Sequence, residues 1–139
     1  QIDGNDVTYE AKFVLKGQKL SVEFSPNGSL EDIEVLMKKR NLPKTFLTRL
    51  DKNFKVLFKK YKITRIQKQY KPGPGLTENP LLLYLENAMA NFDINYELEV
   101  RLVEKNSNEI GHYEYLLNEN AQIKQKREIM NVIDDNEVY

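Results

Sequence analysis

The sequence predicts one α+β domain: an antiparallel sheet of about six strands with one amphipathic helix, about residues 43–61, packed on one face. Three observations carry this. Several short runs alternate apolar and polar residues with period two. One central segment changes to a spacing of three and four. Glycine, proline and asparagine clusters separate the runs. The 139 residues fit one domain with a hydrophobic core of its own.

Residues 1–6 are polar and read as a lead-in. Tyr9, Ala11, Phe13 and Leu15 then share one face, with Glu10, Lys12 and Lys16 on the other. Gly17-Gln18 turns the chain, and Leu20, Val22 and Phe24 resume the alternation against Ser21, Glu23 and Ser25. This is the pattern of half-buried antiparallel strands. Ser25-Pro26-Asn27-Gly28 supplies a second turn, because Asn and Gly tolerate positive φ. Its Asn27-Gly28-Ser29 also fits a glycosylation sequon, which the turn explains fully. Leu30, Ile33 and Val35 mark a third strand.

Pro43 opens the helix, since a first-turn proline loses no hydrogen bond. Its apolar stripe is Phe46, Leu47, Leu50, Phe54, Leu57, Phe58 and Tyr61. Ile63–Tyr70 is rich in strand formers, and Lys71-Pro72-Gly73-Pro74-Gly75 is a loop. Asn79-Pro80 caps a short helix through Leu81–Ala90. Tyr96, Leu98, Val100 and Leu102 alternate against Glu97, Glu99 and Arg101. After Asn106-Ser107-Asn108, Tyr113, Tyr115 and Leu117 alternate with His112, Glu114 and Leu116. Tyr9, Tyr96, Tyr113 and Tyr115 read as core or core rim. Asn118-Glu119-Asn120 turns into a last strand near Ile123–Ile129, and the tail from Asp134 is acidic and frayed. There is an internal echo: Phe24–Leu30 can be laid on Leu117–Ile123, which implies two β-meander units with the helix between them.

Composition narrows the function. Hydrophobic residues at 40% and charged residues at 30% describe a globular chain. No apolar run approaches the roughly 20 residues of a membrane helix, so no transmembrane segment is expected. Basic and acidic residues balance at 21 each, which argues against nucleic acid as partner because phosphate binding draws on a basic excess. Without cysteine there is no disulfide, thiolate nucleophile or cysteine-ligated zinc.

No constellation specifies a reaction. His112 is the lone histidine; beside Glu114 it has the makings of a general base, but a solvent-exposed structural role explains it more simply. No nucleophile elbow exists, and Gly73-Pro74-Gly75 has proline where a phosphate cradle needs N–H donors. Carboxylates pair at Glu31/Asp32, Glu97/Glu99 and Asp134/Asp135. Glu97 and Glu99 lie roughly 7 Å apart along a strand, within the inverting-glycosidase range. Alternating carboxylates on a solvent face are nonetheless commonplace, and there is no tryptophan to stack on sugar. Lys38-Lys39-Arg40 and Lys59-Lys60-Tyr61-Lys62 flank the helix and read as solvated faces near its ends. No cofactor and no metal site is expected.

The run Tyr9-Glu10-Ala11-Lys12-Phe13, a turn, Leu20-Ser21-Val22-Glu23-Phe24, then Ser25-Pro26-Asn27-Gly28-Ser29-Leu30 resembles the PepSY-like family of exported bacterial proteins, also called β-lactamase-inhibitor-like. Such proteins carry hairpins of this form, each after a helix and a strand. The helix to Tyr61, the strand Ile63–Tyr70 and Tyr96-Glu97-Leu98-Glu99-Val100 resemble a complete second unit, so the likeness covers most of the chain. The first unit lacks its helix and leading strand, Pro72–Ala90 reads as an insertion, and Asn118-Glu119-Asn120-Ala121 replaces the Asp-x-x-Gly turn. The resemblance implies helices on an antiparallel sheet and a periplasmic or extracellular place in a bacterium after signal-peptide removal; it does not imply an enzyme.

The expectation is a non-catalytic exported binding or inhibitory module. Its binding-face candidates are Glu10, Lys12, Glu23, Glu97, Glu99, Arg101, His112 and Glu114, facing a protein partner of the cell envelope. One alternative is an envelope-polymer hydrolase using Glu97, Glu99 or His112, which requires a concave cleft and a carboxylate of raised pKa. The other is a structural homo-oligomer: the truncated first unit leaves apolar sheet surface for a second copy, which predicts a homodimer.

Overall fold

A computed structural model of the chain describes residues 2–3, 6–76 and 78–130. The acidic tail lies outside the described residues. Ile2–Asp3 (β1) and Asp6–Val7 (β2) form a short antiparallel pair where the sequence suggested only a lead-in. The body is one seven-stranded sheet. Its strands are β3 (Tyr9–Leu15), β4 (Gln18–Phe24), β5 (Leu30–Met37), β6 (Phe58–Pro72), β7 (Phe92–Glu104), β8 (Ile110–Asn118) and β9 (Ile123–Glu128). Every neighbour in sequence is an antiparallel neighbour in the sheet, an up-and-down meander one strand larger than the six expected.

The turns follow from local chemistry. Lys16 and Gly17 both take positive φ, the two-residue hairpin geometry that matches strand twist. At the next turn Ser25 N–H bonds Ser29 O at 2.8 Å and Gly28 N–H bonds Ser25 O at 2.9 Å. The turn between β8 and β9 repeats these bonds, Asn118 N–H to Gln122 O and Ala121 N–H to Asn118 O, both at 3.0 Å. Ala121 stands where Gly28 stood and also holds positive φ. The internal echo in the sequence is thus a repeated turn, and the two meanders share one sheet with β6 between them.

The first helix, α1, runs Lys44–Leu57. It is shorter than the expected 43–61, because Phe58–Tyr61 already pair with β7 as strand. Phe58 leaves the helix at φ −124°, its N–H still bonded to Phe54 O. Phe54, Phe58 and Tyr61 fit a helical spacing, but an extra residue at Lys59 lets the strand present Phe58 and Tyr61 to the same core. Phe46, Leu50 and Phe54 are buried against Ile66, Tyr96, Leu98, Val100, Tyr115 and Leu117 of β6, β7 and β8. Phe54 meets Phe58, Tyr61 and Tyr115 at ring distances of 5.3, 5.1 and 5.3 Å. Tyr96 and Tyr115 are core as expected, while Tyr9 at the β3 edge is exposed.

The second helix, α2, spans Pro80–Leu85, short of the expected Ala90. Asn79 caps it by accepting from the Leu81 and Leu82 N–H groups. Asn87 ends it at φ 60°, with Asn87 N–H to Tyr84 O and Ala88 N–H to Leu83 O closing a Schellman motif. Leu76, Leu81, Leu83, Tyr84 and Met89 of this segment pack on Leu20, Val22, Ile33 and Val35. The segment that reads as an insertion therefore packs in cis on the apolar face of β4 and β5. At its neck, a Cβ on Gly73 would collide with the Asn91 carbonyl oxygen, so the two ends of the loop close tightly. Among the described residues no helix is long and apolar enough to cross a membrane.

Phe54→Ala removes a fully buried ring at the centre of α1, and is expected to destabilise the fold by about 3–5 kcal/mol in urea unfolding. A loss under about 1 kcal/mol would contradict the central place given to Phe54.

Candidate functional site

With one face under α1 and α2, the alternation sends the other side chains to the opposite face. Four cross-strand rows follow from the register. Glu10, Glu23 and Asp32 form the first, across β3, β4 and β5. Lys12, Ser21, Glu34, Gln69 and Asn95 form the second. Leu36, Gln67, Glu97, Leu116 and Gln125 form the third, and Arg65, Glu99, Glu114 and Arg127 the fourth. This face is concave. Residues from all seven strands, from Glu10 at one edge to Arg127 at the other, line a single trough of about 1030 Å³.

The curl has a local cause. The ladders shift register beside Glu23/Phe24, Phe58/Lys60, Ile63/Arg65 and Leu116/Leu117. Each shift is a bulge that inserts a residue on one strand, bends it and raises the twist. The bulge at Glu31 also decides which way Asp32 points. Plain alternation from Leu30 would place Asp32 beside it on the apolar side. With Glu31 as the extra residue, Leu30 pairs Phe24 and Asp32 pairs Glu23 on the trough side.

The floor is acidic and poorly solvated. Asp32 is 7% exposed, and its Oδ1 is buried without a hydrogen-bond partner. Burial, reinforced by the Glu23 charge, pushes its carboxyl up to about 7, with Lys71 opposing. Glu34 is pushed up to about 8 by burial and then by the charges of Glu97 and Asp32. Glu97 rises to about 8 through burial, the Glu114 charge and a hydrogen bond to Glu114. Glu114 beside it is held by Arg127 at 2.7 Å. Around the floor, Ser21 donates to Glu10, Lys12 lies 3.8 Å from Glu10, and Asn95 donates to Gln69 at 3.2 Å.

Of the residues singled out from the sequence, Glu10, Lys12, Glu23, Glu97 and Glu114 line the trough. Glu99, Arg101 and His112 share the face but lie beyond its lining. Glu99 is 3.5 Å from Arg65 and 3.8 Å from His112 Nε2. His112 is half-buried, not the exposed residue expected, and neither ring nitrogen has a hydrogen-bond partner. Sequence reasoning missed Asp32 and Glu34 as site residues, along with Gln67, Gln69 and Arg127. Glu34 was findable, since it alternates with Ile33 and Val35; Asp32 was hidden by the bulge.

No family model matches the chain, no curated protein matches it, and no solved structure matches it. The resemblance to PepSY-like proteins rests on the sequence pattern alone.

The raised carboxyls fix a pH dependence. Unfolded, Asp32, Glu34 and Glu97 release protons near pH 4; folded, they hold them to about 7 or 8. The native state binds more protons, so this contribution is complete below about pH 4 and is lost as pH rises through 7 to 8. The urea midpoint in metal-free buffer is expected to fall between pH 5 and pH 9, and Glu34→Gln to flatten that fall and raise stability at pH 9. A midpoint constant over this window, or a Glu34→Gln variant that parallels the parent, would contradict the assignment.

Proposed function

We propose that the chain is a non-catalytic, exported binding module of the PepSY-like, β-lactamase-inhibitor-like kind, whose trough receives a protein partner of the bacterial envelope. The trough itself carries this reading. Folding desolvates carboxyls in three neighbouring rows, and a partner side chain bearing positive charge would answer their charge. Lys12, Lys19 and Arg127 on the lining supply the opposite charge, so a segment of mixed charge fits this surface better than a uniformly basic or acidic one. The periplasmic or extracellular setting belongs to the same proposal and draws on the motif resemblance.

Gln67→Trp fills the middle of the trough, while Lys52→Ala alters only the exposed side of α1. Immobilised parent and Lys52→Ala proteins are expected to retain the same envelope protein, and folded Gln67→Trp to lose at least ten-fold of it. Equal retention by Gln67→Trp would remove the trough from the reading.

One observation favours a second reading, hydrolysis of an envelope polymer. Burial and the Glu114 charge raise the Glu97 carboxyl on a concave face, in the sense a general acid requires. Against it, Glu99, the partner carboxylate expected from the sequence, is engaged by Arg65 outside the lining. Incubation with purified cell-wall polymer is expected to release no reducing ends above buffer. Release that disappears in Glu97→Gln would establish the hydrolase instead.

A further inference from the structure

At one end of the trough, Glu23, Asp32 and Glu34 each offer a carboxylate oxygen, and these oxygens all lie within 4.8 Å of one another. We propose that these three carboxylates form a binding site for one divalent hard cation, Ca²⁺ in particular. An acidic cluster alone would not carry this. The second observation is Asp32 Oδ1, buried in a side chain 7% exposed and without a hydrogen-bond partner, on a residue that faces the trough. A desolvated carboxylate oxygen left without a donor is a ligand atom with nothing to ligate.

The donor set and spacing select the ion. All three ligands are hard oxygens on adjacent strands, with no imidazole or thiolate to favour zinc or copper. A triangle with edges no longer than 4.8 Å has its centre no more than about 2.8 Å from each corner, which admits Ca²⁺–oxygen bonds of about 2.3–2.6 Å. Magnesium demands a strict octahedron at about 2.0–2.1 Å, which carboxylates on strands fixed by their ladders on both sides satisfy less readily than the flexible calcium shell. The trough leaves room for water to complete the larger, looser calcium shell. Ser21 and Gln69 stand next to Glu34 in the register and border the site with neutral oxygens.

The cation also answers the electrostatics of the floor. Asp32 faces Glu23, Glu31 and Glu10 with Lys71 as the opposing charge, and Glu34 faces Glu97, Asp32, Glu23 and Glu10. A divalent ion between the three oxygens would offset this crowding of negative charge. The site concerns the free chain and stands whether or not the trough takes a partner.

Calorimetric titration of the metal-stripped chain with CaCl₂ at pH 8 tests this. One ion per chain is expected. Calcium should also raise the thermal midpoint at pH 8. Asp32→Asn, which replaces the buried carboxylate by a neutral isostere, is expected to fold with a raised midpoint of its own and to lose both the heat and the calcium-dependent shift. Glu86→Gln, exposed at the end of α2 and away from the trough, is expected to keep them. No heat and no shift with the parent chain at 10 mM CaCl₂, an unchanged response in Asp32→Asn, or tighter binding of MgCl₂ than CaCl₂ would overturn the proposal. A failure here leaves the partner assay with Gln67→Trp unaffected, so the two readings fall separately.

Discussion

The ladder between β6 and β7 is the constraint on which the molecule depends. It runs from Phe58 opposite Glu104 to Pro72 opposite Phe92, thirteen register pairs in all. Pairs such as Ile66 with Leu98 face α1, and the pairs between them, such as Gln67 with Glu97, face the trough. A slip of one residue would send every one of these side chains to the wrong face. The first meander hangs on one side of this pair and the second on the other, so the core and the acidic floor are set by the same hydrogen bonds.

That two-sidedness explains why a stable fold tolerates so unfavourable a surface. The ring cluster around Phe54 and the leucine-rich cover from α2 supply apolar burial on one side. On the other, the curl of the sheet draws carboxyls into one another's fields and out of water. Burial on the first face offsets the electrostatic penalty on the second. Several polar groups there do find partners: Asn95 donates to Gln69 and accepts from Lys124, and Glu114 is held by Arg127.

The sequence carried the strands and the division of faces, because period-two alternation is a direct trace of which side of a sheet each residue meets. Tyr96, Leu98 and Val100 against Glu97 and Glu99 needed nothing more. The end of α1 was not legible, since Phe54, Phe58 and Tyr61 satisfy a helix and a bulged strand equally, and no glycine marks the change. The concavity was not legible either. Bulges at Glu31 and Thr64 use ordinary residues and arise from pairing with distant strands. Five of the eight face residues named from alternation do line the trough, and Glu34 follows from the same alternation, while Asp32 emerges only when the register is known.

The four register shifts give the trough an unusual kind of adjustability. Curvature made by side-chain packing changes by degrees, with each substitution moving neighbours a little. Curvature made by an inserted residue changes in whole steps, because a bulge is either present or absent. Loss of a single codon at Glu31 would restore a plain ladder, with Leu30 still opposite Phe24 and Asp32 still opposite Glu23. The sheet would open at that point while its two faces kept their character. Length variation of one residue, usually discounted inside a strand, is here the natural way for a lineage to widen or narrow a cavity without rebuilding the core beneath it.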